Sequence, residues 1–416
     1  MVSSYKETLN WMFSKLPMYQ RVGEAAYRPG LEAMHDLDFY LNHPHKRFKS
    51  IHVGGTNGKG STSHMLASIL QQAGFKIGLY TSPHLLDFRE RIKIDGQMIS
   101  ENEVVNFIKK HKDYFELKKL SFFEMTVGMA FAYFAKEEVD FAIIEVGLGG
   151  RLDATNIINP ILSIITNIGL DHTQFLGTTR PQIATEKAGI IKENIDVVIG
   201  EKDPEIELVF KDFALRYNAP ITFAEDTKCY FKTDLKGIYQ KANIKTAFSS
   251  IKQLNMPEIS MEIIQEGLLK VIANTNLMGR WQTLSEIPKI IVDVAHNKEG
   301  MRYIGEQLKV LTYRKLHIVM GFVKGREVDE LISLFPASAQ YYLSSPNLER
   351  ALPLVELKKV LFKKNLDIHF HQTIPIAFER ARDVATDKDL ILVCGSTFVV
   401  AEILTLLKDK KGIIKN

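Results

Sequence analysis

The sequence predicts an α/β fold in two parts. The larger, N-terminal domain is built on a mostly parallel sheet; the smaller, C-terminal one is a Rossmann-like α/β domain. Three observations predict this. Short β-branched runs alternate with helical patterns along nearly all of the 416 residues. Most of those runs are continuous and β-branched rather than alternating, as expected of strands covered on both faces. A polar, glycine-containing joint over 274–281 falls where one series stops and another starts. The expected limits are 1–277 for the first domain, 278–288 for a linker and 289–416 for the second.

The elements follow in order. Ile51-His52-Val53 is a short buried strand, followed by a glycine-rich turn and a helix over 61–73. Met65, Leu66, Ile69 and Leu70 share one face of that helix, and Gly74 is placed to close it in the left-handed region. A second strand covers 77–81, and Ser100 with Glu103 makes a capping box before a helix carrying Val104, Phe107 and Ile108. The longest apolar run, 125–135, is a buried helix, because it falls far short of the ~20 residues that span a bilayer. Strands follow over 141–146, 161–166 and 196–199. The second series has strands over 290–294, 316–320, 340–343, 367–370 and 389–394, with helices over 299–311 and 398–408.

Composition narrows the function. Hydrophobic residues are 45% and charged residues 25%, the balance of a globular protein able to bury large cores. Cys229 and Cys394 belong to no CxxC pair, which argues against a cysteine-built zinc site and for a reducing compartment. The start of the chain has no apolar leader core, so a cytoplasmic protein away from membranes is expected. A net charge of +4 favours anionic small ligands and is too weak to argue for nucleic acid.

The strongest motif is Gly54-Gly55-Thr56-Asn57-Gly58-Lys59-Gly60-Ser61, between a strand and a helix start. Glycines let successive N–H groups face one anion, and the helix N-terminus adds partial positive charge. Lys59 brings a full charge for phosphate oxygens, and Ser61 a hydroxyl for magnesium. Gly60 between Lys59 and Ser61 departs from the common phosphate-loop spacing and argues against a plain GTPase or kinase.

Other candidates stand at strand ends, where open α/β sheets bind ligands. Glu145 is either a magnesium ligand or a strand-end carboxylate paired with Arg151. Asp171-His172 emerges at the same edge. Lys187 has three readings: a cation for phosphate, a lysine carbamylated into an anionic metal ligand, or an ion pair with Glu186. Ser82, in Ser82-Pro83-His84, is a hydroxyl ligand or merely part of a turn. In the second series Arg280, Asp293, His296, Lys324 and Ser396 lie in the joint or at strand–helix junctions, as ligands or as caps. Their placement suggests a second wall of one cleft.

Together these segments resemble the Mur ligase family, and within it the folylpolyglutamate synthase and bifunctional dihydrofolate synthase branch. The resemblance rests on Gly55 to Ser61, Tyr80-Thr81-Ser82-Pro83-His84-Leu85, Glu145 to Asn156, Asn167 to His172 and Glu186 to Ile191, all in the right order. It implies a P-loop-type ATPase domain and ATP phosphates held by Thr56, Asn57, Gly58, Lys59, Gly60 and Ser61. It further implies two magnesium sites, with Ser82 and Glu145 on one and His172 on the other, and leaves room for a monovalent cation. Lys187 matches the family's carbamylated lysine. Asn243 resembles the adenine-site asparagine, and Arg280 and Asp293 match further nucleotide contacts, with His296 beside them. Arg28, Pro29, Gly30, Leu31, Ser121, Leu152, Asp153 and Ala154 match the pterin-side pocket. Arg28-Pro29 lacks the aspartate of well-known bifunctional members, and Phe398-Val399-Val400 replaces a tyrosine-rich stretch after Gly395-Ser396.

The implied reaction joins L-glutamate to dihydropteroate or a folate at the expense of ATP, through an acyl phosphate. The expected partners are these small molecules alone, and the expected state is a monomer. Another Mur-type ligase with a different carboxylate acceptor, or a nucleotide-binding regulator without ligase chemistry, are the alternatives.

Overall fold

The computed structural model describes residues 4–15, 30–362 and 364–409. They form two compact units. The first runs to Asp234 and resumes over Gln240–Leu277; the second takes Leu235–Tyr239 and everything from Met278 onward.

The first unit holds an eight-stranded sheet: β1 (Lys49–Gly54), β2 (Ile77–Tyr80), β3 (Ile92–Ile94), β4 (Gln97–Met98), β5 (Phe141–Glu145), β6 (Leu162–Ile165), β7 (Val197–Ile199) and β8 (Ile221–Phe223). Their order is β4-β3-β2-β5-β1-β6-β7-β8. All neighbours are parallel except at the β4-β3-β2 edge. β1 lies between β5 and β6 in register, with Val53 opposite Glu145 and Gly54 opposite Ile165. The C-terminal ends of these three strands therefore share one edge, where an open parallel sheet places its ligands.

Helix Lys59–Gln72 leaves that edge from β1, and every residue from Ser61 to Leu70 is buried. It can lie so deep because helix Met261–Leu269 covers it at Gly267, where a Cβ would stand 2.6 Å from the Ile69 Cα. Gly74 closes it at φ +91°, as expected. The apolar run becomes helix Phe122–Lys136, packed with Met34, Leu37, Phe88 and Phe115 in one core. No helix among the described residues is long and apolar enough to cross a membrane.

The second unit has a six-stranded sheet: β9 (Gln282–Glu286), β10 (Lys289–Val292), β11 (Leu316–Met320), β12 (Gln340–Leu343), β13 (Asp367–Phe370) and β14 (Leu390–Cys394). The order is β13-β12-β11-β14-β10-β9, parallel except for β9 against β10. The stretch 278–288, expected as a linker, carries β9. Ser100 accepts from the Glu103 N–H, which is half of the expected capping box.

Candidate active site

The phosphate loop is laced to β6 and the turn after it. The Thr166 hydroxyl donates to the Asn57 carbonyl at 2.6 Å. Asn167 accepts the Asn57 N–H on its side-chain oxygen (2.8 Å) and the Thr56 N–H on its backbone carbonyl (2.9 Å). Thr56 Oγ1 accepts the Gly169 N–H at 2.9 Å. Two loop glycines are obligatory. Gly55, at φ +134°, would put a Cβ 1.9 Å from Thr166 Oγ1; Gly58, at φ +82°, would put one 2.3 Å from Asn243 Oδ1. Asn243 donates to Gln240 (2.7 Å), and Gln240 donates to the buried Ser61 hydroxyl (3.2 Å). Gly60 lies in the first turn of the helix.

Two lysines converge on this loop. Lys59 Nζ donates to the Gly55 and Thr56 carbonyls at 3.1 and 3.2 Å. Lys187 Nζ donates to the same Gly55 carbonyl at 2.8 Å from helix Arg180–Ala188. Lys187 is buried, and desolvation, then the charge of Lys59, lower its pKa to about 7. The ion pair with Glu186 is not formed: Glu186 binds Arg151 at 2.9 Å near the surface.

Glu145 ends β5, is buried, and accepts the Ser82 N–H at 2.9 Å, so Ser82 lies directly beside it. Arg151, the alternative partner for Glu145, binds Glu186. His172 adopts φ +51°, and its N–H donates to the buried Asp171 carboxylate (2.9 Å), which turns the chain at the end of the β6 loop. Asp153 is buried and spent within its own loop. It accepts from the Leu148 N–H, the Thr155 N–H and the Thr155 hydroxyl at 2.8, 3.0 and 2.5 Å. Burial raises its pKa. Leu152 is half-buried and Ala154 buried beside it. Ser121 caps helix Phe122–Lys136 in a reciprocal box with Glu124. Gly30 takes φ +128° and Leu31 precedes helix Glu32–Tyr40; Arg28 and Pro29 lie outside the described residues.

In the second unit, Asp293 is buried at the end of β10 and accepts the Tyr239 hydroxyl (2.6 Å) and the N–H groups of Trp281 (2.7 Å) and Ala295 (2.9 Å). Burial raises its pKa as well. Arg280, the residue before Trp281, is half-buried, with Nη1 3.4 Å from the Gly279 carbonyl. His296 Nδ1 lies 3.0 Å from the Val294 carbonyl. Ser396 is a buried helix cap that accepts the Val399 N–H at 3.2 Å.

Comparison with known proteins decides the family. The Mur ligase middle domain matches residues 53–267, and the Mur ligase glutamate ligase domain matches residues 279–397. The chain belongs to the Mur ligase family. A dihydrofolate synthase/folylpolyglutamate synthase of Bacillus subtilis is 32% identical across 98% of this Mur ligase and all of its own length. FolC of E. coli, solved in complex with DHPP and ADP, is 27% identical, with a TM-score of 0.86 and 99% of each chain covered. A bifunctional folylpolyglutamate synthase/dihydrofolate synthase solved with Mn, AMPPNP and L-glutamate is 29% identical, with a TM-score of 0.85 and 98% of each chain covered. These place the chain in the folate branch of the Mur ligases.

Sequence reasoning missed several residues that shape this Mur ligase's site. Thr166 and Asn167 lace the phosphate loop from over 100 positions away. Gln240 ties Ser61 to Asn243, and Tyr239 holds Asp293. Only the Asn167-to-His172 motif carried a hint of the first pair.

Proposed function

We propose that this chain adds L-glutamate, with consumption of ATP, to the carboxylate of dihydropteroate or a folate, releasing ADP and phosphate. The observation that carries the reading is the edge shared by β1, β5 and β6. There a phosphate loop, two convergent lysines and the Ser82–Glu145 pair meet.

A carboxylate is a poor electrophile, so it must be activated. Its oxygen attacks the γ-phosphorus in line, the bond to ADP breaks, and an acyl phosphate forms. The loop amides and Lys59 face the charge on the transferring phosphoryl group. The amine of glutamate then attacks the acyl carbon and phosphate leaves.

The residues at this edge fit a magnesium ion. Ser61, Ser82 and Glu145 offer hard oxygen donors, and His172 an imidazole. Among the described residues no cluster of three or more His, Cys, Asp or Glu forms a closed cage. A bound ion would take its remaining ligands from substrate phosphate and water. Ser82 and Glu145 would hold one ion and His172 a second; when bound, such ions offset phosphate charge and clamp the attacking and leaving oxygens.

Lys187 is the residue we assign to carbamylation. With its pKa lowered to about 7 it carries a neutral amine in much of the population at neutral pH, the form that adds to carbon dioxide. Asn243, Arg280, Asp293 and His296 are assigned to the nucleotide. Gly30, Leu31, Ser121, Leu152, Asp153, Ala154 and Ser396 are assigned to the other substrates, Ser121 and Asp153 chiefly as organisers of their loops. The reading includes a monomer working in the cytoplasm, where Cys229 and Cys394 stay free. Its test is phosphate release that requires both a pteroate-type acid and glutamate. ATP turnover indifferent to either would refute it.

A further inference from the structure

We propose that His52 is a positioning residue for the pteroate or folate acceptor, acting through Thr155 and Asp153; the inference rests on the ligase reading above. His52 lies in the middle of β1, fully buried, opposite Ile144 on β5 and Ser163 on β6. Its Nε2 is 2.8 Å from Thr155 Oγ1. The single hydroxyl proton of Thr155 is already committed, because Oγ1 donates to Asp153 Oδ1 at 2.5 Å. Thr155 must therefore accept from His52, so the imidazole carries its proton on Nε2. The other nitrogen agrees: Nδ1 is buried and has no hydrogen-bond partner among the described residues, as fits a bare lone pair rather than an N–H. Burial, then the charge of Lys192, lowers the His52 pKa to about 3, so the ring stays neutral.

His52 Nε2–H donates to Thr155, the Thr155 O–H donates to Asp153, and Asp153 in turn accepts the Leu148 N–H. The last link closes the turn that starts two residues after Glu145. Gly147, in that turn, lies so close under the Phe123 ring that a Cβ would stand 2.3 Å from its tip. The relay thus connects the central strand to the turn and to Leu152–Ala154, the segment assigned to the acceptor. None of its three hydrogen bonds goes to the phosphate loop, so its loss is expected to fall chiefly on the acceptor.

The test combines a ring signature with a KM split. In the wild-type chain, 15N spectra are expected to show His52 as the neutral Nε2–H tautomer from pH 6 to 8, with the signal displaced in T155V and unmoved in K59A. H52L and T155V are expected to raise KM for the pteroate or folate acid about tenfold, with KM for ATP held. H52Q, which returns an N–H donor toward Thr155, is expected to recover most of the loss. An Nδ1–H tautomer, an unchanged acid KM in both folded variants, or equal rises for acid and ATP would overturn the proposal. A wild-type chain that turns over no pteroate or folate acid would instead refute the ligase reading. The relay geometry itself would then be judged by the ring signature, which needs no substrate.

Discussion

Replacing Lys187 with methionine should make the nucleotide-free protein more stable at neutral pH and should abolish one component of its pH dependence. In the unfolded chain this lysine titrates near 10.5; in the fold, burial and the nearby Lys59 lower it to about 7. Between these values the unfolded chain binds the extra proton. Wild-type stability therefore rises as pH climbs from about 7 to about 10.5 and is flat on either side. The gap is about 3.5 pH units, and at ~1.4 kcal/mol for each it amounts to about 5 kcal/mol of cost carried at and below pH 7. Methionine keeps the volume and removes the charge. It also loses one hydrogen bond, worth about 1 kcal/mol at every pH, although Gly55 keeps Lys59 as a donor at 3.1 Å. The variant should thus be about 4 kcal/mol more stable at pH 6–7, with the advantage gone near pH 10. The assay is urea unfolding in carbon dioxide-free buffer, followed by Trp11 fluorescence in the first unit. A difference between the two proteins that stays constant from pH 6 to 10.5 would refute the reasoning.

Gly58→Ala should weaken binding of a non-hydrolysable ATP analogue at least tenfold by calorimetry, since its Cβ would meet Asn243 Oδ1 at 2.3 Å and its φ is +82°. Tyr239→Phe should destabilise the second unit by about 1–3 kcal/mol, measured by urea unfolding, because buried Asp293 loses a 2.6 Å donor. Glu145→Gln keeps an oxygen for the Ser82 N–H but drops the charge. Its melting temperature should stay within a few degrees of wild type while the magnesium needed for half-maximal turnover rises about tenfold or more.

Much of this was legible in the sequence because a parallel sheet announces itself locally. β14 is a continuous apolar run, β5 is one up to Glu145, and β6 and β11 are broken only by Ser163 and His317; a strand buried on both faces favours that pattern. The β3–β4 hairpin was not legible. Its residues include Lys93, whose buried ammonium reaches the Thr275 carbonyl at 2.8 Å from the far end of the unit. A charged residue in a three-residue strand carries no local signal. The return of Leu235–Tyr239 to the second unit was equally hidden, since it depends on long-range bonds: Tyr239 to Asp293, and Gln307 to the Ile238 N–H and the Lys236 carbonyl.

The site divides the same way. Chain order and spacing delivered the loop, Ser82, Glu145, His172 and Lys187 as strand-end residues. They could not decide the partner of Lys187. That took Arg151, which reaches Glu186 across the chain and leaves the lysine to Gly55. Nor could spacing reveal that Ser121, Asp153 and Ser396 spend their side chains on caps and turns, because a capping oxygen and a ligand oxygen look alike until their donors are placed.

The most direct test of the account follows an oxygen atom. With the acceptor carboxylate labelled by 18O, turnover in the presence of ATP and glutamate should deliver one labelled oxygen into each inorganic phosphate released. Phosphate free of label, with the amide product formed at the normal rate, would contradict an acyl phosphate and the mechanism built on it.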